Sequence, residues 1–167
     1  MSNPQSLTTN TIKLFRTGDH DCSYLPDQTE QLVFIQSHHN LTAEVYEELM
    51  ARGFRRSGDD AYQPHCPQCA ACQSTRILVD QFSPSRSQRR ILNKNRDLRM
   101  VVSSRVKEEY FDLYCRYITA RHQGGGMFPP QREQFDSFVS CRWMPCQYFE
   151  LYLEDRLISV AINDVLP

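Results

Sequence analysis

The sequence predicts an α+β protein, because helical and strand patterns occupy separate stretches instead of alternating regularly. Helical spacing of apolar residues is clearest at 41–52 and 106–121, whereas two strands joined by a tight turn follow at 148–165. Apolar residues make up 40% of the 167 positions, which is enough for a packed core and too many for a disordered chain. No stretch approaches the about 20 apolar residues of a membrane span, and the N-terminus lacks a secretory signal. We therefore expect a soluble, cytoplasmic protein with no membrane partner.

The first half of the chain predicts short strands around one helix. The helix is expected over 41–52, where Thr42 can cap its first turn and Gly53 can end it. The strand patterns lie at 12–16 and 31–36, in a hairpin over 54–63 and again at 75–79.

The second half predicts three helices and three strands. Ser85 can cap a helix over 85–96, and Gly124 to Gly126 end the helix that begins near Val106. A shorter helix is expected at 131–139, and strands at 98–103, 148–153 and 157–165. The chain stops directly after a strand pattern, and an uncovered strand edge is a liability. The sequence thus favours a piece of a longer protein over a small domain with an exposed sheet.

Seven cysteines and the lack of an export signal argue against a disulfide framework. Cys66, Cys69 and Cys72 form a Cys-x2-Cys-x2-Cys run, whose thiolates can turn toward one zinc ion or iron–sulfur cluster. Cys22 is the first candidate for the fourth ligand, and His65 is the second. Three ordinary thiols in a loop without metal are the alternative, and both interpretations stay open.

Basic residues are concentrated between Pro84 and Lys107. This window holds eight basic residues and one acid, a net charge of +7, whereas the rest of the chain carries −8. Arg86, Arg90 and Lys94 stand four residues apart and so share one helical face, without the acids that would pair with them on an ordinary solvated helix. The segment therefore favours binding to phosphates, and an RNA would supply them.

Several uncommon motifs occur in a fixed order along the chain. They are Asp21-Cys22-Ser23-Tyr24-Leu25-Pro26, the segment from Tyr62 to Cys72, Arg76-Ile77, Pro84 to Arg90, Tyr114-Cys115-Arg116-Tyr117, Arg121 to Met127 and Leu157 to Ala161. In these motifs the sequence resembles the arginyl-tRNA–protein transferase family, in its bacterial leucyl-transferring branch. The resemblance extends from about residue 12 to the end.

The resemblance implies an aminoacyltransferase that moves leucine from leucyl-tRNA to the N-terminal Asp or Glu of acceptor proteins. The modified proteins enter N-end rule degradation. The resemblance also implies a cysteine-rich N-terminal region at 12–83, a basic connecting segment at 84–104, and at 105–167 the first part of a GNAT-like acyltransferase domain. Such a domain continues past residue 167, so this piece could be inactive by itself.

The resemblance also carries expectations about individual residues. The tRNA-binding residues, which follow from the basic segment itself, are expected to be Arg86, Arg89, Arg90, Lys94 and Arg96. The arginyl branch holds an iron–sulfur cluster on two cysteine pairs, and the candidate ligands here are Cys22, Cys66, Cys69 and Cys72. Because Leu25 replaces one member of the first pair, the presence and type of a cluster stay open.

Transfer from an aminoacyl ester needs few catalytic groups, because the ester is already activated. It requires positioning, deprotonation of the attacking amine and stabilisation of the oxyanion, but no cofactor and no cysteine nucleophile. His122 is a candidate base, although a lone histidine at a helix end is more often structural. Arg121 to Gly126 matches the Arg-x-x-Gly-x-Gly pattern of coenzyme A sites, but it ends a helix instead of opening one, which argues against coenzyme A.

A different class of function also explains part of the sequence. A non-catalytic, zinc-ribbon-like RNA-binding module accounts equally well for the cysteines and the basic segment. It does not account for the long aromatic helix that is followed by a strand pair.

Overall fold

The computed structural model describes residues 12–36 and 41–167, which form three antiparallel sheets with four α-helices. In chain order the elements are β1 (Leu14–Arg16), β2 (His20–Asp21), β3 (Thr29–Glu30), β4 (Leu32–Ile35), α1 (Ala43–Ala51), β5 (Arg55–Ser57), β6 (Asp60–Pro64), a short 3-10 helix (Val79–Gln81), α2 (Arg86–Lys94), β7 (Leu98–Ser103), α3 (Glu108–Arg121), α4 (Arg132–Val139), β8 (Cys146–Leu153) and β9 (Arg156–Asp164). The predicted α+β class is confirmed. Within the described ranges, no helix is long and apolar enough to cross a membrane.

The first sheet has the strand order β1-β4-β6-β5 and shares a core with α1. The helix begins as predicted, because the Thr42 hydroxyl oxygen accepts a hydrogen bond from the Val45 N–H at 3.3 Å. It ends at Ala51, and Gly53, just after the cap residue Arg52, has the left-handed φ of +90° that glycine adopts without strain. Tyr46 and Leu49 of α1 are buried against this sheet.

A two-residue turn joins β5 to β6 and brings the first sheet against α4. Gly58 in this turn has a φ of +60°, and a Cβ added there would collide with the Ser137 carbonyl oxygen. Any larger residue would have to displace backbone, so glycine is required here for both its conformation and its size.

The last sheet has the order β7-β8-β9, and α3 and α4 pack on one of its faces. Tyr148 and Tyr152 of β8 alternate inward and are buried with Tyr110 of α3 and Phe135 of α4. Glu154, with a φ of +55°, forms the tight turn to β9. The strand pair and its turn were predicted from the sequence.

Residues between α4 and β8 connect the two cores. Met144 is buried in the core of the first sheet, and the Trp143 indole N–H donates to the Asp59 carbonyl oxygen at 3.0 Å. Arg56 of β5 forms an ion pair with Asp164 at the end of β9. Contacts between side chains from distant parts of the chain therefore hold the first and the last sheet together.

Two local features differ from the sequence prediction. The predicted strand at 75–79 is wrong, because Thr75 to Leu78 adopt irregular backbone and the 3-10 helix begins at Val79. Ile77 is 70% exposed and Val79 is 81% exposed, so the β-forming side chains have no strand beside them. The two-residue strands β2 and β3 were not predicted, because such short pieces show no alternation.

Candidate functional site

An apolar cavity of about 350 Å³ lies between α3, α4 and β9. On α3 its lining residues recur every three or four positions, which puts them on one face of the helix. The apolar and aromatic side chains that line it include Leu113, Tyr114, Ile118, Phe135, Phe138 and Val160. A mostly apolar cavity of this size with a few polar groups at its edge is typical of a small-molecule site.

The polar edge of this cavity lies at the C-terminal end of α3. Tyr117 lines the cavity, is 55% exposed, and places its hydroxyl 3.0 Å from the Nε2 atom of His122. The Gln134 amide donates to the Gly126 carbonyl oxygen at 3.4 Å, which connects the glycine segment to α4. The candidate base His122 therefore contacts a residue that lines the apolar cavity, which its sequence position did not reveal.

A buried carboxylate network lies at the N-terminal end of α3. Glu150 of β8 has no exposed surface; its Oε1 accepts a hydrogen bond from the Tyr110 hydroxyl, and its Oε2 accepts from the Lys107 Nζ at 2.7 Å. The Tyr152 hydroxyl lies 3.0 Å from the same Oε2 and 2.7 Å from the Glu109 carboxylate. Burial alone raises the pKa of Glu150, but the hydrogen bonds from Lys107 and the two tyrosines outweigh it and hold this pKa below its usual range.

Glu150 was not predicted from the sequence, although a signal for it was present. Glu150 alternates with Tyr148 and Tyr152 in β8, and a period of two puts all three on the inner face of the strand. A glutamate on such a face needs partners, and Lys107 supplies the charge. Tyr110 belongs both to this network and to the lining of the apolar cavity.

Helix α2 presents its cations to solvent. All nine residues are exposed, and Ser85 and Gln88 form a reciprocal capping box, as the Ser85 cap predicted. Arg96 donates to the Asn93 side chain at 2.7 Å. Among the described residues, no acid forms an ion pair with the predicted tRNA-binding residues Arg86, Arg89, Arg90, Lys94 and Arg96. Their role in binding RNA stays a prediction.

The four candidate metal ligands line one cavity of about 370 Å³. Cys66, Cys69 and Cys72 come from the loop after β6, and Cys22 follows β2. His65 does not line this cavity. Four thiols suit zinc or an iron–sulfur cluster chemically. However, no three His, Cys, Asp or Glu side chains in 12–36 and 41–167 are placed closely enough to hold one metal ion.

A larger cleft of about 1280 Å³ separates α1 from the end of β9. Arg52, Arg55 and Arg76 line it, and in the described part of the chain none of the three has an acidic partner within ion-pair distance. Arg55 donates to the Cys72 carbonyl oxygen at 3.5 Å, which places its guanidinium between this cleft and the cysteine cavity. Glu47 and Glu48 on α1 also line the cleft. The cleft is therefore polar, and it contains three arginines that no described acid pairs with.

Two family models match the chain in consecutive order. The model described as "Arginine-tRNA-protein transferase, N terminus" matches residues 20–90, and the corresponding C-terminus model matches residues 109–167. The two matches together include most of the elements described above.

Curated relatives are similar over almost the whole chain. An aspartate/glutamate leucyltransferase of Aeromonas salmonicida is 51% identical over 156 residues, which cover 93% of this chain and 66% of the relative. Those of Shewanella putrefaciens and Pseudomonas fluorescens are 48% and 47% identical, over 62% and 67% of their lengths. The chain thus spans about two thirds of the length of the curated relatives it matches. With two ordered family matches and identity near one half, the chain belongs to the arginine-tRNA–protein transferase family.

Proposed function

We propose that this chain takes part in the transfer of leucine from leucyl-tRNA to the N-terminal Asp or Glu of acceptor proteins. The observation that carries the proposal is the identity of 51% over 93% of the chain with a relative named aspartate/glutamate leucyltransferase. The acceptors would then be directed to N-end rule degradation. Since charged tRNA is made and used in the cytoplasm, the proposal also assigns the protein to that compartment.

The proposed reaction exchanges an ester for an amide. The neutral α-amine of the acceptor attacks the carbonyl carbon of the leucyl ester, a C–N bond forms, and the bond to the ribose oxygen breaks. The amine loses a proton and the ribose oxygen gains one, so no oxidant, reductant or cofactor is consumed. His122 is the proposed base, supported by its position at the edge of the apolar cavity beside Tyr117.

The proposed RNA contact is the cationic face of α2. Arg86, Arg90 and Lys94 are exposed on one side of the helix, and no acid of the described residues forms an ion pair with them. Phosphates of folded RNA suit such a face, because each guanidinium can donate two parallel hydrogen bonds to one phosphate. Five exposed cations between Arg86 and Arg96 support this assignment.

The proposed acceptor contact is the cleft lined by Arg52, Arg55 and Arg76. An N-terminal Asp or Glu brings a carboxylate that needs a cation, and these three arginines are free to supply it. Their number, and the fact that no described acid forms an ion pair with them, support the choice of this cleft over the apolar cavity.

Two further assignments accompany the proposed activity. Helices α3 and α4 on one face of β7-β8-β9 support a GNAT-like transferase domain. The shared cavity supports metal binding by Cys22, Cys66, Cys69 and Cys72, for which the loop would have to draw its thiols closer together. A metal there would hold the loop in one conformation, and the transfer reaction does not require it.

The experiment measures transfer of labelled leucine from leucyl-tRNA to a peptide that begins with Asp. It uses this chain alone and also fused to the part of the Aeromonas salmonicida relative that the chain does not cover. Transfer to the Asp peptide, but not to one beginning with Ala, is expected from at least the fusion protein. Binding of tRNA without any transfer by either protein would contradict the proposal and favour a zinc-ribbon-like RNA-binding module. Arginyl-tRNA as a second donor tests the choice of amino acid.

A further inference from the structure

We infer that the apolar cavity between α3, α4 and β9 binds the side chain of the aminoacyl group at the 3′ end of a charged tRNA. The inference rests on the proposed function and extends it to the residues that select leucine. The ligand class is an apolar amino acid linked to the terminal adenosine of tRNA.

The lining of the cavity matches the chemistry of a leucyl group. Leu113 and Ile118 of α3, Phe135 and Phe138 of α4, and Val160 of β9 offer only hydrocarbon surface. A side chain without hydrogen-bonding groups gains free energy there from burial, whereas an arginyl or glutamyl side chain would lose its hydration without finding a partner. The cavity therefore favours a branched apolar side chain.

The open end of the cavity matches the nucleotide part of the same ligand. Arg121 continues the helical stripe of Tyr114, Tyr117 and Ile118, and it is exposed at the last turn of α3. No described acid forms an ion pair with it. It is thus available for the phosphate that joins the terminal nucleotide to the rest of the tRNA. Tyr117 and His122 add aromatic rings on which a base can stack.

Two of the hydroxyl groups that line the cavity are already occupied, which also favours an apolar occupant. The Tyr148 hydroxyl donates to the Val139 carbonyl oxygen at 2.8 Å, and the Tyr110 hydroxyl donates to Glu150. Both tyrosines therefore present mainly their rings to the cavity. A ligand gains its selectivity there from shape and apolar area.

The probe for the test is 3′-(leucylamino)-3′-deoxyadenosine 5′-phosphate, which has an amide in place of the labile ester. Its binding to this chain is compared with that of the alanyl, phenylalanyl and glutamyl analogues. The wild type is expected to bind the leucyl probe at least about tenfold more tightly than the alanyl and glutamyl probes. A difference of this size is typical of an apolar pocket that distinguishes side chains by size and polarity. Equal affinity for all four probes, or no binding of the leucyl probe, overturns the inference.

Two variants change the cavity in opposite directions. Val160→Phe fills it and is expected to lower leucyl affinity about tenfold while leaving alanyl affinity unchanged, which also reports that the protein is folded. Phe138→Ala enlarges it at a position that is 40% exposed, and is expected to shift the preference toward the phenylalanyl probe. Val102→Phe is the control, because Val102 is half exposed on the face of the sheet opposite the cavity. The relative affinities of this variant for the four probes should equal those of the wild type.

The outcomes separate this inference from the proposed function. Leucyl selectivity that the variants alter, together with no transfer by either this chain or the fusion protein, supports the cavity assignment and contradicts the proposed reaction. Transfer of leucine with a selectivity that neither cavity variant alters contradicts the cavity assignment and leaves the reaction in place. If Val160→Phe fails to fold, the response of Phe138→Ala decides.

Discussion

The Lys107 Nζ lies 2.7 Å from the Glu150 Oε2, so the residue that precedes α3 neutralises a carboxylate buried in the middle of the central strand β8. Lys107 itself is 39% exposed. The ion pair therefore connects the start of α3 to the interior of the sheet. Its lysine is partly exposed to solvent, whereas its glutamate is fully buried.

Replacement of Lys107 by Met should destabilise the protein. Glu150 would keep its hydrogen bonds to Tyr110 and Tyr152 but lose the cation that contacts it, and a hydrogen bond to a charged group contributes about 1.5–3 kcal/mol. The free energy of unfolding in urea should fall by that amount. Arg105→Met, an exposed change in the same loop, is the control and should have little effect. Equal losses for the two variants would refute a special role for the pair.

Stability should depend on pH through Glu150. Its pKa in the folded protein is lowered, so the unfolded chain takes up the proton first as pH falls. The stabilising contribution is present above the ordinary glutamate pKa of about 4.3 and is lost as pH falls through the lower, folded value. Between pH 6 and pH 3, the urea concentration at the midpoint of unfolding should decrease more steeply with falling pH for the wild type than for Glu150→Gln. Parallel curves would contradict this assignment.

The cations of α2 should determine the salt dependence of tRNA binding. Each lost phosphate contact reduces the slope of log affinity against log salt by about 0.7–0.9, so Arg86→Ala/Arg90→Ala should reduce it by about 1.4–1.8. Different tRNAs should be affected alike, because phosphate contacts carry no sequence information. The control, Arg16→Ala/Arg156→Ala, removes two exposed cations outside the basic segment. Equal slopes for both variants would show that α2 is an ordinary solvated surface.

The cysteine cavity should retain a thiophilic metal. Protein purified without oxygen or chelator should contain zinc or iron, measured by atomic emission, and Cys66→Ser/Cys69→Ser should lose it. Cys115→Ser is the control, because Cys115 lies on α3 away from this cavity. Metal content that is unchanged in the double variant, or absent from wild type, would refute the metal assignment.

Gly58→Ala should destabilise the contact between the first sheet and α4. The new Cβ would collide with the Ser137 carbonyl oxygen at a left-handed φ, and such strain costs about 1–3 kcal/mol. Gly18→Ala places its Cβ in open space and should change the unfolding free energy little. Differential scanning calorimetry of the two variants would compare them directly, and similar melting temperatures would contradict the prediction.

The elements that were predicted from the sequence are those specified locally. Helices α1 and α2 begin at Thr42 and Ser85, whose side chains cap the backbone three residues on. The strand predicted at 75–79 failed because β-forming residues such as Ile77 need a neighbouring strand, and that requirement is not local.

In the candidate site, too, features set by neighbouring residues could be predicted, whereas features formed by distant elements could not. The spacing of the cations in the sequence was enough to predict that they share a helix, α2. The four candidate cysteines also line one cavity. The apolar cavity could not be predicted, because α3, α4 and β9 form it only after they pack. Glu150 could have been predicted, since the alternation in β8 marks it as an inward carboxylate.

The burial of Met144 in the first core has a consequence for synthesis of the protein. Trp143 packs its ring 5.2 Å from that of Tyr46, about 100 residues earlier in the chain, and Met144 joins the same cluster as Ile35. During translation the first sheet and α1 emerge long before these partners, so part of their shared core stays uncovered. Closing so long a loop is slow, because its entropy must be lost before the contacts form. The core of the first sheet is therefore completed only after Met144 has left the ribosome.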